Sequence, residues 1–178
     1  LMDDLLHENG HHYLNTYLNH IDLINEDDDK VYYSPWRKAL RPVRGIYHAT
    51  FTFFWAMELY YHLNVAAEKK TIPFTKEEKI KIKSRFLEEY YMLGYCKPDF
   101  THAFKNKRVN KDGLALINAT YERIDAYKKT VDSVLAEYTA SLRKWSMAYV
   151  GCETGENQDG EAMDASTLSA AKTMQAAG

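Results

Sequence analysis

The chain has 178 residues, 46% of them hydrophobic and 27% charged, which is typical of a globular domain and excludes a wholly disordered chain. Lys and Arg number 23 against 25 Asp and Glu, so the net charge of -2 argues against nucleic acid or an anionic membrane as a partner. Two cysteines, Cys96 and Cys152, are too few for a disulfide framework. With no signal peptide and no apolar run long enough to span a bilayer, we expect a cytoplasmic protein.

Hydrophobic periodicity predicts an all-α domain of four helices without any strand. The helices are expected at residues 1–25, 43–63, 75–95 and 111–149. Because the second is rich in aromatic residues and apolar on most sides, we expect it to be buried. The first helix should pack against it, and the long C-terminal helix should complete the domain.

The connections between these helices are predicted from proline and from polar residues. Residues 32–42, which contain two prolines, are expected to be extended. Thr75 and Glu78 have the spacing of a capping box, which predicts the start of the third helix. A loop near Pro98 is expected to end that helix.

Residues 1–150 are interpreted as one helical catalytic domain. Residues 151–178 are predicted to be a disordered tail, because Gly, Glu, Asp, Ser and Ala dominate there and no aromatic residue occurs. The chain starts at Leu1 in what reads as a helix interior. We therefore expect it to be the C-terminal part of a longer protein.

The sequence His7-Glu8-Asn9-Gly10-His11 matches the pattern H-E-x-x-H. On a helix, His7 and His11 face the same way and can bind one metal ion, while Glu8 reaches the same neighbourhood. Gly10 weakens a helix by about 1 kcal/mol relative to alanine, which is tolerable where backbone or substrate comes close. The alternative is a pair of structural histidines bonded to neighbouring carbonyl groups.

A third ligand decides the chemistry of such a site. The metzincin pattern is excluded because Leu14 and Tyr17 stand where it requires Gly and His. A zinc peptidase could use Glu58, or less plausibly Glu26 from the acidic run at 26–29. The other candidate is His48, near the start of the second helix.

Three arginines precede His48 closely, at positions 37, 41 and 44. Arg44 is one helical turn before His48, so its guanidinium can lie beside a metal there. A guanidinium is a fixed fork of donors that suits a carboxylate ligand of such a metal. The alternative is that these arginines pair with the acidic run at 26–29.

The chain resembles one family through Leu-Leu-His-Glu-x-x-His at 5–11, Pro-Trp-Arg at 35–37, Arg-Pro at 41–42 and Arg-Gly-x-x-His at 44–48. These motifs are similar to those of the α-ketoglutarate-dependent HExxH peptide β-hydroxylases, which accompany clusters for ribosomally synthesised, post-translationally modified peptides. The resemblance covers about residues 1 to 65. One departure is Ala49, where we expect the family to favour glycine.

The resemblance implies a mononuclear Fe(II) enzyme that uses α-ketoglutarate and O2 to hydroxylate a β-carbon in a precursor peptide. His7, His11 and His48 would be the metal ligands, and Arg41 and Arg44 would be candidates for the distal carboxylate of α-ketoglutarate. Three protein ligands leave three positions of an octahedral iron open, two for the keto acid and one for O2. Glu8 would be the catalytic-site carboxylate that orients a ligand without binding the metal.

Two other classes remain open at this stage. In a Zn(II) metallopeptidase, Glu8 would be the general base and Glu58 or His48 would complete the site. In a non-catalytic helical domain, or an inactive fragment, the histidines would be structural. The sequence does not predict an oligomeric state.

Overall fold

The computed structural model describes residues 2–25 and 29–140, and it is mainly helical, which confirms the predicted all-α class. Its elements are α1 Met2–Leu18, β1 Tyr32–Ser34, β2 Ala39–Arg41, α2 Val43–Glu68, α3 Lys76–Lys105 and α4 Lys111–Ala126. Two compact units divide the chain, Leu1–Val134 and Leu135–Gly178. Helical residues follow α4 at 128–134 in the first unit and at 135–140 in the second. All six elements belong to the first unit.

The central element of this unit is α2, which contacts α1, α3, α4 and both strands. Its apolar sequence fits that position, since Ile46, Tyr47 and Met57 are fully buried and Phe54 is nearly so. Burying a side chain of this kind contributes about 1.5–3 kcal/mol. The predicted packing of the first helix against an aromatic second helix is therefore confirmed, and it fixes the position of every residue on α2.

Helix α1 ends at Leu18, several residues before the predicted end at 25. Residues 22–25 are instead extended and pair with the segment before α4. The Asn25 N–H donates to the Arg108 carbonyl, the Asn110 N–H donates to the Leu23 carbonyl, and Ile24 forms a bridge with Val109. This pairing satisfies the backbone groups that a longer helix would have bonded internally, so the prediction was wrong at this end.

The expectation of no strand was also wrong, because residues 32–42 contain a short antiparallel hairpin. Tyr32 pairs with Arg41, and Ser34 pairs with Ala39. Residues 35–38 form the turn, in which Lys38 has a φ of 51°. Three-residue strands are shorter than the runs that alternation detects, and proline in the turn favoured an extended interpretation.

Helix α3 begins as predicted but continues past Pro98. Thr75 and Glu78 form the expected capping box in both directions. Pro98 lies inside the helix, where its ring would crowd the carbonyl of Gly94, four residues earlier. Nothing lies within 4 Å of the position of a Cβ on Gly94, so this turn has room to adjust.

The predicted helix over 111–149 is interrupted at Tyr127, so it is not one long helix. The Tyr127 N–H donates to the Ile124 carbonyl, which closes a tight final turn of α4. Its hydroxyl donates to the Glu58 carboxylate on α2, a tertiary contact with no local signal in the sequence. Residues 141–149 and the predicted tail at 151–178 lie outside the described residues. Among the described residues, no helix is long and apolar enough to cross a membrane.

Candidate metal centre

His7 and His11 lie one turn apart on α1 with their rings in contact. Their Nε2 atoms are 3.1 Å apart. Two nitrogens at this separation, each bound at about 2.1 Å, subtend about 95° at a shared ion, close to the angle between neighbouring ligands of an octahedral metal. The separation of the two nitrogens therefore suits chelation of one ion.

His48 on α2 reaches the same histidine pair from the other side. Its Nδ1 is 3.2 Å from the Nδ1 of His11, and the two rings are 5.4 Å apart. Burial, with smaller contributions from His11 and Arg44, lowers the pKa of His48 to about 4. Burial and the neighbouring His7 also lower the pKa of His11. Both imidazoles are thus neutral at pH 7, the form in which a ring nitrogen binds a metal.

The three imidazoles do not point at one common ion as they are placed. His7 and His48 face opposite nitrogens of the His11 ring. Within the part of the chain that the structure describes, no three His, Cys, Asp or Glu side chains are arranged to hold a metal. Convergence of all three on one ion therefore requires that side chains of this cluster reorient.

Gly10 sets the distance between the two helices that carry these histidines. It is buried, and a Cβ placed on it would lie 3.1 Å from both the Cα and the Cγ2 of Thr52 on α2. Thr52 is itself fixed, because its hydroxyl donates to the carbonyl of His48. The absence of a side chain at Gly10 therefore allows α1 and α2 to approach closely beside His11 and His48.

These histidines lie in a cleft of about 360 Å³ between α1, the hairpin and the start of α2. It is lined by His7, His11, Ser34, Trp36, Arg37, Arg41, Pro42, Arg44, Gly45, His48, Ala49, Thr52 and Phe53. All three predicted ligands and both predicted carboxylate-binding arginines thus face one cavity. No Asp or Glu within residues 2–25 and 29–140 lines it, so the cleft is cationic.

An aromatic stack forms one wall of the cleft. Trp36 in the hairpin turn stacks on Phe53 with ring centres 4.5 Å apart. Phe53 in turn meets His7 edge-on, with ring centres 4.9 Å apart. The Trp36 indole N–H donates to the buried carboxylate of Glu89 on α3 at 2.8 Å. Arg85 binds the other oxygen of Glu89 at 2.6 Å. The turn is therefore tied to α3, which holds the rim of the cleft in place.

Of the glutamates predicted for the site, the two that the structure describes lie outside the cleft. Glu8 is exposed and is not among the lining residues. Glu58 accepts hydrogen bonds from Arg123 at 3.0 Å and from Tyr127 at 2.9 Å, so it is engaged in the core. Glu26 lies outside the described residues. Neither Glu58 nor Glu8 is in a position to complete a zinc peptidase site in this conformation.

The alternative prediction for the arginines is that they pair with the acidic run at 26–29. Asp29, the one described residue of that run, is bonded instead by Arg108 at 2.9 Å. Arg37 and Arg41 form no ion pair with any described residue. Both side chains are exposed at the cleft, where they are available to a ligand.

Sequence reasoning missed three contributors to this cleft: Trp36, Phe53 and, as a proposed binding residue, Arg37. A tryptophan in a polar turn next to proline was the available signal, because a large aromatic side chain there needs a surface to cover.

Comparison with protein-family models, with curated proteins and with solved structures finds no match for the chain.

Proposed function

We propose that this protein is a cytoplasmic Fe(II)- and α-ketoglutarate-dependent oxygenase that hydroxylates a β-carbon in a ribosomally made precursor peptide. The observation that carries the proposal is the gathering of three histidines and three arginines around one cavity. Imidazoles are suitable ligands for iron, and Arg41 and Arg44 offer guanidinium groups to a dicarboxylate. The resemblance in the motifs at 5–11 and 35–48 supplies the reaction.

The histidines fit the role of metal ligands by their chemistry. His7 and His11 are spaced for two neighbouring positions on an octahedral ion, and His48 is the third imidazole within reach of that pair. When bound, ferrous iron supplies the chemistry that couples decarboxylation of α-ketoglutarate, to succinate and CO2, to transfer of one oxygen atom of O2 into a C–H bond. The chain's own residues then have to bind, orient and enclose the reactants.

Arg41 and Arg44 are the proposed ligands of the distal carboxylate of α-ketoglutarate. Arg41 lies along the first turn of α2, since its Nε would be 3.1 Å from a Cβ on Gly45. Arg44 lies on the same turn and is close enough to His48 to lower its pKa. Two guanidinium groups beside the proposed metal can bind a carboxylate while the keto acid reaches the iron.

The lining of the cleft favours an oxygenase over a zinc peptidase. A peptidase of the HExxH type uses the glutamate of the motif as general base on a metal-bound water. Here Glu8 is exposed and outside the cleft. An oxygenase needs no such base, and Glu8 next to His7 can still help to orient the metal-site helix. Its charge also raises the pKa of His11, opposing the effect of burial.

The decisive experiment is an anaerobic titration of Fe(II) and α-ketoglutarate into folded protein, followed by visible absorption. We expect the charge-transfer band of a keto acid chelated to ferrous iron. The His11→Ala variant should lose the band. His12→Ala is the matched control, because His12 neighbours His11 but is exposed and outside the cleft, and it should retain the band.

A folded protein that gives no band but binds Zn(II) tightly would contradict the oxygenase proposal. In that case Glu8→Gln should abolish hydrolysis of a peptide substrate. If His11→Ala and the wild type bind iron equally well, the histidine cluster is structural and the proposed site is wrong.

A further inference from the structure

The cleft carries more positive charge than the proposed reactants neutralise. The two negative charges of α-ketoglutarate balance the two positive charges of a ferrous ion, and the three histidine ligands are neutral. Leaving Arg44 aside, Arg37 and Arg41 still line the cleft without an ion pair to any described residue, and no described acidic residue lines it. An anionic group on the substrate would match this charge.

The three arginines that line the cleft are carried by two different parts of the chain. Arg41 lies against Gly45 at the start of α2, and Arg44 is in the first turn of that helix. Arg37 is instead in the hairpin turn, next to Trp36. One pair of arginines at the start of α2 is therefore suited to the co-substrate, and a third arginine lines the cleft from the turn.

The turn that carries Arg37 is held in a fixed position. Its neighbour Trp36 is stacked on Phe53 and bonded to the buried Glu89. The Arg37 backbone N–H also donates to the Ser34 hydroxyl at 3.4 Å. Because the backbone of the turn is anchored by Trp36 and by Ser34, binding a ligand orders mainly the Arg37 side chain, which lowers the entropic cost.

We propose that Arg37 binds an acidic side chain, Asp or Glu, of the peptide substrate and so makes the cleft selective for acidic peptides. The inference rests on the proposed function for its substrate, a peptide. It adds a specificity-determining residue that touches the substrate and not the co-substrate. A bidentate contact between guanidinium and carboxylate supplies both the affinity and the orientation of the peptide.

The test measures binding of short fluorescent peptide pools to metal-free protein by fluorescence polarisation. The pools share random neutral flanks and differ at one central position, which is Asp, Glu, Asn, Gln or Lys. We expect the Asp and Glu pools to bind about tenfold more tightly than the Asn and Gln pools, as a charge-assisted bidentate contact predicts.

Three variants assign the preference to Arg37. Arg37→Gln should remove it, and Arg37→Glu should reverse it so that the Lys pool binds best. Lys38→Gln is the matched control: Lys38 is the next residue of the same turn and is exposed, but it does not line the cleft, so the acidic preference should remain.

Equal binding of all pools by the wild type, or an acidic preference that survives in Arg37→Gln, would overturn the inference. Its failure is distinguishable from failure of the proposed function, because the pools are measured without metal. The iron and α-ketoglutarate band tests the function independently, and Arg37→Gln should leave that band unchanged. Loss of the band in Arg37→Gln would instead assign Arg37 to the co-substrate and contradict its assignment to the peptide.

Discussion

Two polar clusters lie along α2, one at its start and one past its middle, and they differ in what balances the charge. Near His48, Arg37 and Arg41 face a cleft without described acidic side chains. About 15 Å further along the helix, Glu58 is nearly buried and is bonded by Arg123 and Tyr127. The protein supplies the partners of the second cluster itself, whereas the arginines of the first are available to a ligand. Removing charge should therefore affect binding at the His48 cluster and stability at the Glu58 cluster.

The largest expected effect on stability comes from Glu58→Ala. The substitution removes two hydrogen bonds to a carboxylate, one of them charged on both sides, and should lower the free energy of unfolding by about 2 kcal/mol. Urea denaturation measures this. The iron and α-ketoglutarate band should keep its midpoint. A Glu58→Ala protein that is fully stable but no longer binds the keto acid would reverse the comparison between the Glu58 cluster and the His48 cluster.

Gly10→Ala should disturb the cleft directly. The new methyl group meets the backbone and the hydrogen-bonded side chain of Thr52, and such overpacking costs about 1–3 kcal/mol. Alanine recovers about 1 kcal/mol of helix propensity, so we expect a net loss of about 1 kcal/mol together with weaker metal binding.

Gly94→Ala is the control for this substitution, because it lies in α3 with open space around the position of its Cβ. It should stabilise the protein by about 0.5–1 kcal/mol and leave metal binding unchanged. The double variant Gly10→Ala/Thr52→Ser removes one of the two close contacts and should recover part of the loss. Equal behaviour of the two glycine variants would show that the helices do not depend on close approach at Gly10.

Arg41→Gln should have a small effect on stability and a large one on binding. The side chain is exposed and has no ion pair among the described residues, so the free energy of unfolding should change by less than about 0.5 kcal/mol. The α-ketoglutarate concentration at half-saturation should rise about tenfold. Arg123→Gln, which removes a partner of Glu58, should show the opposite pattern. It should lower the free energy of unfolding by more than Arg41→Gln does, and it should leave the α-ketoglutarate concentration at half-saturation unchanged.

The smallest expected effect is at Cys96, which reports whether such changes stay local. Cys96 is fully buried, and burial raises the pKa of its thiol to about 12. In a Cys152→Ser background at pH 8, labelling by a thiol reagent should be at least about 100-fold slower in the native than in the denatured protein. Arg41→Gln should leave the native rate unchanged, and fast labelling there would show that the cleft and the α3 core are coupled.

Of the residues that line the cleft, the sequence predicted the histidines and two of the arginines, because their signals are local. His7 and His11 needed only the four-residue period of a helix, and the motifs around His48 placed it and Arg44 on a second buried helix. What the sequence could not show depends on tertiary contacts. Leu23 leaves the helical conformation because its carbonyl accepts a hydrogen bond from the backbone N–H of Asn110, 87 residues away along the chain.

The same limit explains the missed wall of the cleft. Trp36 becomes part of it because its ring stacks on Phe53 and its indole donates a hydrogen bond to Glu89, far along the chain. Tyr127 interrupts the last predicted helix while it bonds Glu58 on another element. Helix periods and caps are encoded within a few neighbouring residues, but such pairings depend on how complete helices dock.

All the described residues that line the cleft lie between positions 7 and 53 of the chain. A single gene segment thus encodes the proposed ligands, the arginines and the aromatic wall, while α3 and α4 act as a scaffold. For protein engineering, the exposed positions of this segment can be randomised to change peptide preference. The scaffold residues that bond to the segment have to be kept: Glu89 with Trp36, Gly113 with Tyr47, and Asn110 with Leu23.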